Sequence, residues 1–148
     1  MRIAQLLLQT DSGVVGFILR ITLAVVMFPH GAQKVLGWFG GHGFRGSLKS
    51  FTDSGIPAVF ALLAIAAEFL GSLGLAVGLL TRIAAVGIAC VMLVAITVHW
   101  PNGFFMNWYG NQKGEGFEYH LLASGIAITL IIVGAGAWSL DGALVGPR

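Results

Sequence analysis

The sequence predicts an all-α fold, an integral membrane four-helix bundle with two aromatic-rich loops capping one end. Three observations carry this expectation. Of 148 residues, 57% are hydrophobic and only 9% are charged, against about 25% charged in a soluble domain. The mean hydropathy is +0.89. The few charges fall mainly between four apolar segments, each close to the roughly 20 residues that a helix needs to cross a bilayer. A water-facing surface would need many more charged side chains than the eight basic and six acidic residues present, so a soluble globular fold and a disordered chain are both excluded. The single cysteine, Cys90, excludes a disulfide scaffold.

The chain reads as one transmembrane domain, 1–148, with helices at about 13–33, 56–80, 82–100 and 118–140. The first span is interrupted by Arg20 and Pro29. It is not a signal peptide, because it is too long for an h-region, carries a central arginine and lacks a small-residue cleavage site. The second span holds one ionisable residue, Glu68, near its middle. Only Thr81 and Arg82 separate it from the third span, so these two helices form a tight antiparallel hairpin. Pro101 discourages helical geometry at Trp100 and ends the third helix near His99. The third and fourth spans carry no charge through their apolar cores.

The two longer connections, 33–55 and 99–117, emerge on the same side of the membrane. Trp38, Phe39, Phe44 and Phe51 lie in the first, and Trp100, Phe104, Phe105, Trp108 and Tyr109 in the second. Aromatic rings favour the interface, where an apolar body meets a wet rim, so both connections are expected to fold over the bundle end. Basic residues divide almost evenly: Arg2, Arg82 and Arg148 on one side, Lys34, Arg45, Lys49 and Lys113 on the other. That balance assigns no orientation. The scattered basic residues form no stripe for nucleic acid, and no DNA or RNA partner is expected.

Charges inside a bilayer cost at least about 2.5–3.5 kcal/mol each on insertion scales, so they mark pairs, cavities or pathways. Arg20 lies roughly 5 Å from the midplane of its helix at 1.5 Å per residue, and Glu68 sits near the midplane of the antiparallel neighbour. A structural ion pair between Arg20 and Glu68 is therefore expected. Glu68 shares a face with Ala64, Gly71, Leu75 and Gly78, which turns it into the bundle. Gly74 and Gly78 form a G-x-x-x-G pair suited to close helix packing.

The other ionisable groups converge on the loop end. His30 and Lys34 end the first span, His99 ends the third, and Glu118 and His120 open the fourth. His30 and Lys34 share a helix face at i, i+4, whereas Glu118 and His120, two apart, point in different directions. His30, His99 and His120 come from three helices with no local ligand motif such as H-E-x-x-H, so no metal site is assigned. An apolar, aromatic-lined pocket with a few convergent polar groups suits a quinone-like or other apolar ligand, with His30, Lys34, Glu68, His99, Glu118 and His120 as ligand-binding candidates. Lys34 is expected to supply positive charge to an anionic group. The alternatives are interfacial snorkelling and helix capping.

Four stretches resemble the DoxX family of small four-helix bacterial membrane proteins: RITLAVVMFPHGAQKVLG from Arg20 to Gly37, AAEFLGSLGLAVGLLTR from Ala66 to Arg82, HWPNGFFMN from His99 to Asn107, and GFEYHLL from Gly116 to Leu122. They occur in the family's order. The family pattern is similar at Arg20, Gly31, Lys34, Glu68, Gly71, His99 and Glu118. The resemblance implies a multi-pass protein of the bacterial inner membrane, linked to redox systems with quinone or sulfur chemistry nearby, with redox-enzyme subunits or further copies of the chain as partners. It names no reaction. The expected function is a small membrane subunit of a redox-linked system; the alternative is a non-catalytic scaffold that docks a partner. A transporter is disfavoured, because one four-helix unit without internal repeats needs oligomerisation to build a pathway.

Overall fold

The computed structural model describes residues 3–145; Arg2 and Arg148, counted above for orientation, lie outside the described residues. In chain order the helices are α1 (Ile3–Leu8), α2 (Val14–Val35), α3 (Gly43–Asp53), α4 (Ala58–Val77), α5 (Thr81–His99), a 3₁₀ turn (Trp100–Asn102), α6 (Glu118–Val133) and α7 (Leu140–Val145). The fold is all-helical. Three stretches, Val14–Val35, Ala58–Val77 and Thr81–Asn102, are long and apolar enough to cross a membrane, and Glu118–Val133 is a shorter apolar helix. Side chains such as Val25, Leu63, Leu70, Val94 and Leu122 are exposed on these helices, and in a bilayer they meet lipid rather than water.

The four long helices form a ring in which α2 packs on α4, α4 on α5, α5 on α6 and α6 on α2. Leu23, Met27, Leu75, Ile88, Met92 and Leu130 fill its centre. Because lipid supplies no hydrophobic drive between helices, their association rests on close packing and polar contacts. Gly31 supplies the tightest approach between α2 and α4: a Cβ there would lie 2.6 Å from Phe69 Cα. That contact sets the antiparallel register, with Gly31 opposite Glu68 and Phe69.

This register corrects the expected pairing of Arg20 with Glu68. Arg20 lies eleven residues from Gly31, about 16 Å along the helix, and therefore reaches the far end of α4. Its Nη1 donates to the carbonyls of Leu75 at 2.9 Å and Ala76 at 2.7 Å. Nε donates to Ala135 O at 3.0 Å, and Nη2 to Ala137 O and Trp138 O. The side chain is 1% exposed. A helix leaves its last four carbonyls without intrahelical partners; here a guanidinium donates to two of those carbonyls on α4, where positive charge also complements the helix dipole.

The tight α4–α5 hairpin is present, but its connector is Gly78–Leu80, and Thr81 and Arg82 already belong to α5. Asp141 caps the start of α5: Leu80 N donates to Oδ1 at 2.7 Å and Thr81 N to Oδ2 at 2.9 Å. Arg82 closes the end of α6 by donating to Ile131 O and Ile132 O. The fourth span ends at Val133, short of the expected 140. Gly134 and Gly136 take φ of 80° and 73°, turning the chain so that the carbonyls of Ala135, Ala137 and Trp138 face Arg20. The connection 33–55 also differs from an aromatic loop, since the 11-residue helix α3 lies within it.

Candidate functional site

The polar end of the bundle is built where α2 and α4 diverge past Gly31. One turn further along α2, Lys34 Nζ donates to Glu68 Oε2 at 2.5 Å. The Glu68 side chain is 5% exposed and that of Lys34 24%. This carboxylate is thus neutralised from the same helix face that carries His30, as the i, i+4 spacing of His30 and Lys34 allows. Lys34 is thus engaged by Glu68 in this structure.

From α6, Tyr119 and His120 face inward. The His30 and Tyr119 rings lie 6.0 Å apart, and Tyr119 Oη donates to Met27 Sδ at 3.4 Å. His120 stacks on His99 from α5, with ring centroids 4.7 Å apart and planes at 14°. His99 Nδ1 lies 3.1 Å from Glu115 O. His120 is 8% exposed and its Nδ1 has no hydrogen bond of good geometry, although the Gly116 backbone lies close to the ring.

The second connection is a built cap. Glu118 Oε1 accepts from Met106 N at 2.9 Å and from Trp108 Nε1 at 2.8 Å. Glu115 Oε2 accepts from Asn107 N, and Glu115 O from Asn102 Nδ2. Trp100 stacks on Phe117 at 4.7 Å. Glu118 accordingly holds the loop and does not line the main cavity.

That cavity, about 1320 Å³, is lined by His30, Lys34, Glu68, His99, Tyr119 and His120 at its polar end. From there it continues as an apolar groove between α4 and α5, past Ala67, Gly71, Gly87 and Cys90 toward Leu80 and Ile83. Five of the six ligand-binding candidates thus share one space, Glu118 being the exception. Its chemistry is a neutralised ion pair flanked by imidazole and phenol groups, able to donate and accept hydrogen bonds and to exchange protons. Among the described residues no group of three His, Cys, Asp or Glu is arranged to hold a metal ion.

Tyr119, Met27 and Glu115 were missed by sequence reasoning. Tyr119 carried one signal, its place between two ionisable residues at a helix start. Met27 sits in an apolar run and Glu115 in a glycine-rich loop, and nothing local distinguishes either.

The DoxX family model matches residues 15–100, the stretch from α2 through the end of the third span. The chain belongs to the DoxX family. The matched region contains Arg20, His30, Lys34, Glu68 and His99, whereas Tyr119 and His120 lie beyond it. A curated relative from Bacillus subtilis (strain 168), named "Putative oxidoreductase CatD", is 30% identical over 113 residues, covering 76% of this chain and 75% of the relative. No solved structure matches the chain. This DoxX family protein is therefore a multi-pass membrane protein in contact with lipid.

Proposed function

We propose that this DoxX family protein is a small subunit of a redox-linked system in the bacterial inner membrane, binding a quinone in the cavity at the loop end of the bundle. One observation carries the reading: an apolar groove open toward lipid ends in five convergent polar side chains, His30, Lys34, Glu68, His99 and His120. A quinone ring needs hydrogen-bonding groups at its carbonyl oxygens and an apolar surround. His99, His120 and Tyr119 supply the first, and Met27 and the α4–α5 groove the second. Quinone reduction takes up protons, and the Lys34–Glu68 pair with His30 stands where they are needed. The electrons come from a partner redox subunit. Between the two ligand classes raised by the sequence, the neutralised Lys34 favours a quinone over a sulfur oxyanion, because an anion would lack a free cation at the buried end.

Thermal unfolding of the protein in nanodiscs, titrated with ubiquinone or menaquinone analogues, tests this. A bound ligand stabilises by about 2.7 kcal/mol at a hundred times its Kd, and Glu68→Gln and His99→Ala should weaken or abolish the shift. No saturable shift in the wild type, or an identical shift in both variants, overturns the reading. A second reading, a scaffold for a partner subunit, draws on Trp108 and Tyr109, which are 77% and 90% exposed on the ordered cap. It requires a defined partner to co-purify from native membranes and to be lost with Trp108→Ser.

A further inference from the structure

The helix α3 is tethered to the membrane at both ends. Residues 36–42 join it to the end of α2 and residues 54–57 to the start of α4, and it packs against both of those spans. Its 11 residues make about 16 Å of helix at 1.5 Å per residue, too short to cross a bilayer. Two short links fixed to span ends leave α3 at the headgroup level.

Its sequence is amphipathic. Phe44, Leu48 and Phe51 recur at i, i+4 and i+7 and share one face with Ser47, which is buried. Phe51 turns toward the bundle, where it lines the same cavity as Lys34, whereas Phe44, two turns earlier, is 44% exposed. Arg45 and Lys49, again four apart, occupy the adjoining flank. Both are exposed. Lys49 Nζ donates to Asp53 Oδ2 at 2.5 Å on that open flank, and Arg45 has no ion-pair partner among the described residues.

The link before α3 holds two more rings outward. Gln33 Nε2 donates to Phe39 O at 3.1 Å and Gly41 N to Trp38 O at 2.9 Å, and Gly41 lies so close to α2 that a Cβ there would collide with the Gln33 carbonyl. These contacts fold the link back on the last turn of α2 and leave Trp38 54% and Phe39 63% exposed. Phe39 also takes φ of 53°, a left-handed conformation that is unfavourable for an aromatic residue. A protein facing water gains nothing by holding two rings outward from a strained turn; one at a bilayer gains the burial of both.

We propose that α3 and the Trp38–Phe39 turn form an interfacial anchor for anionic phospholipid, with Trp38, Phe39 and Phe44 seated among the glycerol and upper acyl groups and Arg45 and Lys49 on headgroup phosphates. Charge and depth together select this occupant. A basic flank beside an apolar face, fixed at headgroup level, meets phosphates. Long basic side chains reach them while their stems stay in apolar surroundings, and an anionic lipid adds an attraction that a zwitterionic one lacks. An acidic protein would match the two charges but not the three exposed rings beside them. The anchor stands apart from the cavity and does not depend on what the cavity binds.

The full chain in dodecyl maltoside is titrated separately with phosphatidylglycerol and with phosphatidylcholine of the same acyl chains, and bound lipid is counted by native mass spectrometry. Phosphatidylglycerol should half-saturate at a concentration lower by about tenfold. Arg45→Gln, an exposed substitution that leaves the bundle untouched, should shrink that preference about fivefold, the worth of one basic residue near a charged lipid surface. Asp53→Asn, which frees Lys49, should enlarge it, and Lys113→Gln in the second connection should leave it unchanged. A second measurement needs no charge variant. In nanodiscs, acyl-brominated phosphatidylglycerol should quench the Trp38 emission, taken as the difference between wild type and Trp38→Phe, and aqueous iodide should not.

The absence of a preference for phosphatidylglycerol in the wild type, an equal loss in Arg45→Gln and Lys113→Gln, or Trp38 emission quenched by iodide and not by bromine overturns the anchor. Displacement of the bound lipid by inorganic phosphate beyond that by chloride at equal ionic strength marks a site for a free anion and overturns it too. A preference untouched by Arg45→Gln assigns the basic flank to another partner, such as an acidic protein, with the same result.

Discussion

Lys34 and Glu68 form an ion pair at 2.5 Å across the α2–α4 seam, one helical turn beyond the glycine that brings those helices together. The two charges neutralise each other at the inner end of the cavity. Removing one leaves the other uncompensated, and breaking a buried pair from one side costs about 3–5 kcal/mol.

Lys34→Met should therefore destabilise more than Glu68→Gln, because it strands the more buried of the two charges. Lys34→Met combined with Glu68→Gln should recover much of the loss. Unfolding in mild detergent measures this as a double-mutant cycle, with a coupling well above the roughly 0.5 kcal/mol expected of independent sites. Arg20→Gln with Glu68→Gln should by contrast be additive, and a large coupling there would contradict the register described for α2 and α4.

Arg20 donates to five carbonyls from three nitrogens. Arg20→Lys keeps the charge but lacks the planar fork that reaches carbonyls on two segments. Both Arg20→Lys and Arg20→Gln should lower the stability by about 3 kcal/mol or more, since several buried carbonyls lose their donors together. Near-native thermal stability of Arg20→Lys would mean that the charge alone suffices.

Asp141 accepts from two backbone N–H groups at the start of α5 while itself 1% exposed. Asp141→Ala removes a helix cap and should cost about 1–2 kcal/mol. Hydrogen exchange should report faster amide exchange at Thr81 and the following turn, with little change at His99. Uniform acceleration along α5 would argue against a local cap.

Gly31→Ala places a methyl group against Phe69 Cα at 2.6 Å, which no rotamer change relieves. The helices must separate, at a cost of about 1–3 kcal/mol. The Lys34–Glu68 pair should loosen with them. Gly125→Ala, where a Cβ meets nothing within 4 Å, is the matched control and should be neutral or slightly stabilising.

The spans were legible because lipid tolerates so few charges that their positions mark the helix ends. The polar cluster was legible for the same reason: His30, Glu68, His99 and His120 are costly at membrane depth unless they meet. The partners were not. Which residue of α2 faces Glu68 depends on the Gly31–Phe69 contact, and periodicity within one helix says nothing about the register between two. The segment 43–53 reads as a loop because its glycines and polar residues mask the helical face of α3, and Asp141 gives no local hint that its carboxylate caps a helix sixty residues earlier.

The guanidinium of Arg20 also sets a clock on synthesis. Its partners Ala135, Ala137 and Trp138 follow it by 115 to 118 positions, and at about 5–20 residues per second the first of them is made roughly 6–23 s after Arg20. For the latter part of that interval only the α4 carbonyls of Leu75 and Ala76, 55 and 56 positions after Arg20, are there to receive its donors, so the guanidinium is incompletely satisfied in the nascent bundle. Ribosome-bound chains stalled before Gly134 should show Arg20 accessible to water-soluble guanidine reagents, and released full-length chains should not. The segment after α6 thereby completes the shell of a charge laid down in α2, and a chain lacking Ala135, Ala137 and Trp138 leaves that charge only partly satisfied.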